Sequence, residues 1–349
     1  MVEQKTMKLA RLVEPYKLQF ETAPVPHAGK GQVLIHVLRC GVCGSDPTTF
    51  KGMHPFCPPP VVMGHEFSGT VAEVGEGVTN LQEGQRVTVL PHLTCGVCPR
   101  CKEHKSNLCE TVKCIGGQAD GGHCEYIALD AEMVYPISDA MSLESAAMVE
   151  PAAVGYHGAV RANLQPTDRV LVFGAGTIGI FTMQACKARG AKEVYITDID
   201  DDRLALARSL GADGTINQKN ESVAEGLTRL CGDPHNIDKF FECVGGKGTV
   251  LDQIITIARR GTSIVMIGIQ SEGCHVEKLP FLGEHELSLL GSNMYDAQDY
   301  REVIDYMGQG KIRTDGMISH TFKFDQLMEA FDLAVNKKEK FMKIMLEMD

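Results

Sequence analysis

The polar and apolar positions of this chain follow one grammar in its first third and another from about residue 169 onward. Early on, short apolar segments such as 32–38 and 67–74 are set off by glycine and proline, which predicts the strands of a β-rich unit. Further along, strand-like apolar runs at 170–173, 194–197, 240–244, 264–269 and 287–290 alternate with helix-length segments. Two of those segments, 178–189 and 203–210, follow the first two runs, and Gly211 is placed to stop the second. Strands alternating with helices predict a parallel, doubly wound sheet. After Gly291 the segments are mixed again and include amphipathic helices at 300–307 and 326–336. No internal repeat, low-complexity tract or Pro/Ser-rich linker interrupts this order. The expected class is α/β, a β-rich unit joined to a doubly wound parallel sheet.

A chain of 349 residues is long enough for one large domain or two ordinary ones. Its 34 Lys and Arg against 45 Asp and Glu leave a formal charge of −11, and the one basic cluster is Lys337-Lys338. Neither nucleic acid nor an anionic membrane surface is therefore an expected partner, since both demand a basic patch. No apolar run approaches the roughly 18 to 20 residues of a membrane span. The start, Met1-Val2-Glu3-Gln4-Lys5, lacks an apolar stretch followed by a small-residue cleavage site. The expected compartment is the cytoplasm. Thirteen cysteines are many for a reduced protein unless some hold metal, and their odd number argues against complete disulfide pairing.

Gly174-Ala175-Gly176-Thr177-Ile178-Gly179 fits the G-x-G-x-x-G pattern, and its setting makes it informative. It follows a predicted strand, opens a helix-length segment and is succeeded by a strand ending in Asp198. Gly174 permits the tight turn, Gly176 lets the backbone approach a pyrophosphate and Gly179 lets the helix pack on the sheet. The N–H groups at the helix start, around Thr177 and Ile178, then face the phosphates. Asp198 would accept hydrogen bonds from ribose hydroxyls and repel a 2′-phosphate, so NAD is expected rather than NADP. Arg203 is the nearby cation able to soften that preference by reaching ribose or phosphate. Cys243-Val244-Gly245 and Ile267-Gly268-Ile269 fall at predicted strand C-termini, where ligands bind in such sheets, making Val244 and Ile267 further cofactor candidates.

Cys95-x2-Cys98-x2-Cys101-x7-Cys109 offers four thiolates on one short loop, a set that closes a tetrahedral Zn²⁺ with no position left for substrate. Such a zinc is structural. A second constellation differs: Cys43-Gly44-Ser45-Asp46 and Gly64-His65-Glu66 supply a thiolate, an imidazole and a carboxylate from separate segments. A catalytic zinc wants about three protein ligands and an open position. Glu150, in Val149-Glu150-Pro151, sits where the β-rich part hands over to the dinucleotide part. Either Glu66 or Glu150 is the third ligand, with water or the other carboxylate as the fourth.

Taken together, these residues resemble the zinc-dependent medium-chain alcohol dehydrogenases, and within them the polyol (sorbitol-type) and threonine branch. The resemblance runs over essentially the whole chain. It rests on Gly41-Val42-Cys43-Gly44-Ser45-Asp46, Gly64-His65-Glu66-Phe67-Ser68-Gly69, the four-cysteine loop, Glu150-Pro151, the glycine motif and Gly291-Ser292. It implies a GroES-like catalytic domain made from 1–153 and 292–349, with a Rossmann domain at 154–291 between them. It further implies two Zn²⁺ per chain, a homo-oligomer (dimer or tetramer), and NAD(P)-linked oxidation of a secondary alcohol. The catalytic zinc would lie on Cys43, His65 and Glu66 with Glu150 beside it, and glutamate rather than cysteine at 150 points to the polyol and threonine branch.

Two departures bear on mechanism. Many such relatives carry a proton-relaying histidine where this chain has Thr48, after Pro47. Ser45 still offers a hydroxyl, and the onward route runs through Thr48, through water to Glu150, or through His54. The stretch 51–60, with Cys57 and three successive prolines, is expected to wall the substrate pocket and matches no specificity signature. The expected substrate is a small-molecule alcohol, a polyol or sugar derivative; threonine or another amino alcohol, a diol or a simple secondary alcohol is the alternative. A catalytically idle NAD-binding protein is the remote one.

Overall fold

The computed structural model describes residues 5–336 and 339–348, so Lys337-Lys338 and residues 1–4 lie outside the described residues. The chain divides into two compact units, Met1–Glu150 with Asp296–Gly308 and Ile318–Asp349, and Pro151–Tyr295 with Gln309–Met317. Residues 309–317, expected with the first domain, thus cluster with the second unit. The Gln184 side chain is one tie: its amide donates to the Arg313 carbonyl at 2.9 Å and its oxygen accepts from the Arg313 N–H at 2.8 Å.

The first unit is built on a seven-stranded sheet. Its main path runs Val134–Pro136, Arg86–Val89, Glu66–Val74, Gln32–Val42, Lys343–Glu347, Ile318–Lys323, and Tyr126–Asp130 also pairs with Gln32–Val42. Gln32–Val42 is its axis. Val33, Ile35, Val37 and Cys40 on that strand are fully buried, in a core shared with Met63, Phe67 and Phe331. The strand continues past the expected end at 38 because it gains a partner on each edge, with Gly41 opposite Glu66 on one side and Val42 opposite Ile344 on the other. That extension delivers Cys43, at the strand's end, next to the segments that carry His65 and Lys343.

The second unit holds a six-stranded parallel sheet in the order Gly214–Asn217, Glu193–Asp198, Arg169–Phe173, Lys239–Glu242, Ser263–Met266, Ser288–Gly291. From Arg169–Phe173 the chain winds first one way and then the other, so the C-terminal end of that strand is the topological switch point where such sheets bind ligands. Gly214–Asn217 was not expected as a strand. It is a short edge strand carrying a glycine and an asparagine, too little apolar content for the pattern to reveal. The run expected at 264–269 stops at Met266, because the N–H groups of Ile267 and Gly268 both turn to the Glu242 carbonyl. No helix among the described residues is long and apolar enough to cross a membrane.

Candidate metal centres and dinucleotide site

Cys43, His65 and Glu66 converge: one donor atom of each lies within 4.8 Å of the others. The backbone arranges this from two segments. Cys43 leaves the strand Gln32–Val42 and enters the short helix Asp46–Phe50, where the Asp46 carboxylate accepts the Cys43 N–H at 2.8 Å and locks the turn. Ser45 donates its hydroxyl to the Cys43 sulfur at 3.3 Å. On the other side, Gly64 turns the chain with φ of +91°, and a Cβ there would lie 2.7 Å from the His123 ring and 2.8 Å from the Cys40 sulfur. Only glycine fits.

Negative groups crowd His65. Burial alone would lower the pKa of His65, yet the Cys43 sulfur, then the Asp46 carboxylate, outweigh it and hold the ring well above its usual value. The thiolate, imidazole and carboxylate that meet here are the donor types that zinc takes.

Cys95, Cys98, Cys101 and Cys109 also meet within 4.8 Å of one another. Their loop is held by N–H groups aimed at sulfur, from Cys95 to Cys109 at 3.3 Å and from Cys98 to Cys95 at 3.3 Å. Such donors, from Cys95 and Thr111, pull the Cys109 thiol down to about 6, while burial and its sulfur neighbours push Cys101 up to about 11. Four thiolates crowded together need a positive ion to ionise jointly, and a four-sulfur set fits zinc.

In the second unit Gly174 has φ of +93° at the end of Arg169–Phe173, and a Cβ on Gly179 would lie 1.7 Å from the Gly174 carbonyl oxygen. Gly176 caps the helix Thr177–Ala188, which begins with Thr177 and Ile178. Asp198, ending Glu193–Asp198, accepts the Ala175 N–H at 2.6 Å and those of Ile199 and Asp200 at 2.7 and 3.0 Å. Its carboxylate is thereby tied to the glycine loop. Arg203 reaches the same loop, its guanidinium 4.0 Å from where a Gly176 Cβ would stand. Val244, 56% exposed, flanks Gly174 from the neighbouring strand end, and Ile267 follows Ser263–Met266.

Comparison with known proteins agrees in both units. Residues 29–139 match the alcohol dehydrogenase GroES-like domain, and residues 177–309 match the zinc-binding dehydrogenase domain. The chain is 31% identical over 346 residues to a sorbitol dehydrogenase of Bacillus subtilis, covering 98% of this chain and 97% of the relative. The chain belongs to the zinc-dependent medium-chain dehydrogenase family. A D-arabitol-phosphate dehydrogenase of Enterococcus avium is 34% identical over 98% of each chain. A crystal structure of an alcohol dehydrogenase from Escherichia coli CFT073, complexed with NADH, superposes with a TM-score of 0.89 at 31% identity, covering 98% of this chain and 99% of that one.

Around this dehydrogenase's Cys43 cluster, other residues fall less simply. Glu150 is buried in the first turn of Val149–Arg161 but does not join the three-donor cluster. It lies close enough to Cys114 and Lys343 to act on both. Thr48 is exposed on the helix Asp46–Phe50. His54 is half-buried with Nδ1 accepting the Phe56 N–H at 3.3 Å; burial, and then His65, lower its pKa. Burial pushes the Cys57 thiol up, and it pushes Cys114 up to about 12, so neither supplies a thiolate near neutral pH.

Two residues here escape motif reading. Glu242, fully buried, accepts the N–H groups of Val244 and Gly245 at 2.7 and 2.8 Å and the Gln270 amide at 2.8 Å, so it braces both loops that follow the central strands. Lys343 opens the buried strand Lys343–Glu347 and holds Glu66. The one signal for it is a cation starting the apolar run Ile344-Met345-Leu346, a place where lysine is costly unless paired.

Proposed function

We propose that this protein is an NAD⁺-linked zinc dehydrogenase that reversibly oxidises a secondary alcohol of a polyol or sugar-derived substrate to the ketone. The convergence of Cys43, His65 and Glu66 in a chain that also ties Asp198 to the glycine loop carries the reading. Cys43, His65 and Glu66 would hold the catalytic zinc, with Glu150 in reserve beside them, and the four-cysteine loop a structural one. When bound, zinc supplies a Lewis acid that polarises the substrate oxygen, and NAD⁺ supplies the hydride acceptor.

The chain's own residues do the rest. Ser45 turns its hydroxyl from the Cys43 sulfur to the substrate hydroxyl and takes the proton toward solvent. His54, Thr48 or Glu150 with water carries it on. Asp198 binds the ribose hydroxyls and Gly174, Gly176 and Gly179 admit the pyrophosphate to the N–H groups around Thr177 and Ile178, with Arg203, Val244 and Ile267 completing the walls. The similarity to sorbitol and arabitol-phosphate dehydrogenases supports the polyol class.

A panel of polyols, inositols, sugar acids, threonine and diols with NAD⁺ and NADP⁺, followed at the NADH absorbance, tests this. The expected result is turnover of a polyol or sugar-derived alcohol with NAD⁺. Turnover confined to threonine or simple alcohols would overturn the substrate class.

A further inference from the structure

The glycine loop lies at the C-terminal ends of the second unit's parallel strands, and cations gather at the opposite ends of those strands. Lys239 begins the strand Lys239–Glu242 and pairs in register with Ser263, the first residue of the next strand. The turn Arg259-Arg260-Gly261-Thr262 leads straight into Ser263, so the strand register sets it beside Lys239. Gly261 makes that turn with φ of +81° and gives its N–H to the His285 carbonyl at 2.9 Å, while the Thr262 N–H returns to the Arg259 carbonyl at 3.3 Å. Lys239, Arg259, Arg260 and Thr262 thereby line one cleft of about 330 Å³, together with Asp168 and Asp238.

The charges of this cleft are not paired off within it. Asp238 is engaged twice, by the Arg169 N–H at 2.8 Å and by the Arg259 guanidinium. Asp168, buried in the wall, accepts the Gln165 N–H at 2.9 Å. Arg260 has only Glu284, at 3.9 Å with both side chains mostly exposed, and a pair of that kind contributes little. Lys239 has no ion-pair partner among the described residues. Thr262 is 2% exposed and its hydroxyl has no hydrogen-bond partner, a state that native structures rarely leave unexplained. We propose that this cleft binds a phosphate-type oxyanion, free or carried by a small organic monoester, at a site separate from the glycine loop. The Arg260 fork and the Lys239 ammonium supply charge-assisted hydrogen bonds to its oxygens, and the anion gives the Thr262 hydroxyl a partner. The two aspartates select among oxyanions. An ionised carboxylate only accepts, so it tolerates a phosphate that still carries one O–H and disfavours sulfate, which has no proton to donate.

Calorimetric titration tests this without turnover. The zinc-loaded protein, saturated with NAD⁺ so that the glycine loop is already filled, is titrated with inorganic phosphate, methyl phosphate and sulfate near pH 6, about the second pKa of a phosphate monoester. Native protein should show one saturable phosphate site, with sulfate weaker by about tenfold or more. Binding of inorganic phosphate alone assigns a free ion; binding of methyl phosphate as well assigns the phosphate of a monoester. Lys239→Met and Arg260→Met should each weaken phosphate by about tenfold or more, with NAD⁺ affinity native, whereas Lys239→Arg should keep the site. The Arg260 side chain is 72% exposed, so Arg260→Met reads the cleft even if Lys239→Met fails to fold. Absence of saturable phosphate binding, native phosphate affinity in Arg260→Met, or sulfate bound as tightly as phosphate overturns the proposal.

Discussion

Gly41 stands opposite Glu66 in the antiparallel pairing of Gln32–Val42 with Glu66–Val74, and its missing side chain is what admits the Glu66 carboxylate. Gly41→Ala should therefore leave the sheet formed but push the carboxylate aside, at a cost of about 1–3 kcal/mol of overpacking. Metal analysis of the purified variant should find the chelator-sensitive zinc depleted and the four-cysteine zinc intact. Full occupancy of both sites in Gly41→Ala would show that Glu66 does not need this backbone gap.

The two donor sets differ in closure, and zinc should leave them at different rates. The all-thiolate loop has no open position and should resist chelators, whereas the Cys43, His65 and Glu66 site should empty first, taking activity with it. Two zinc ions per chain, one labile, is the expected count by elemental analysis before and after dialysis against a chelator. Active protein lacking a second, labile zinc would remove the catalytic assignment.

Asp198 is anchored to Ala175, so it cannot swing away from an incoming 2′-phosphate without breaking the glycine loop's own hydrogen bond. Repulsion at that range, at an effective dielectric near 20, is worth a few kcal/mol before screening. NAD⁺ should be preferred by at least about tenfold in kcat/KM, which requires only about 1.4 kcal/mol. Asp198→Ser should narrow the gap mainly by improving NADP⁺. Equal use of both cofactors by the native enzyme contradicts the argument.

Ser45→Ala should lower kcat by roughly 10² to 10⁴, the contribution of a positioned proton-transfer group. The onward route has a pH signature. His54 must be neutral to accept a proton, and burial with His65 nearby lowers its pKa. Activity routed through it should persist below the usual histidine range near 6.5 and fall only as pH drops through the lowered value. If His54 is the exit, His54→Ala abolishes that limb and Thr48→Val does nothing. If the exit is the exposed Thr48, Thr48→Val slows turnover and the limb stays. Where neither matters, Glu150→Gln should impair turnover with zinc still bound. Near-native kcat in Ser45→Ala would discard the hydroxyl relay itself.

Much of this was legible along the chain because it depends on short spacing. The glycine motif, the alternation of strands and helices, and the four-cysteine loop are set by covalent proximity and backbone geometry, so residue order alone carries them, and the family resemblance follows from them. What depends on register between distant strands was not legible. The extension of Gln32–Val42 past residue 38, the pairing of Gly41 with Glu66 and of Val42 with Ile344, and the edge strand Gly214–Asn217 are decided by partners far away in the chain. Residue order left Glu66 and Glu150 open as ligands; tertiary structure brings Glu66 into the three-donor cluster and leaves Glu150 outside it. Lys343 belongs to the same class: a lysine near the end of the chain becomes Glu66's partner only when an antiparallel strand carries it there, and burial then leaves its ammonium no water to turn to, only Glu66 and the Val42 carbonyl.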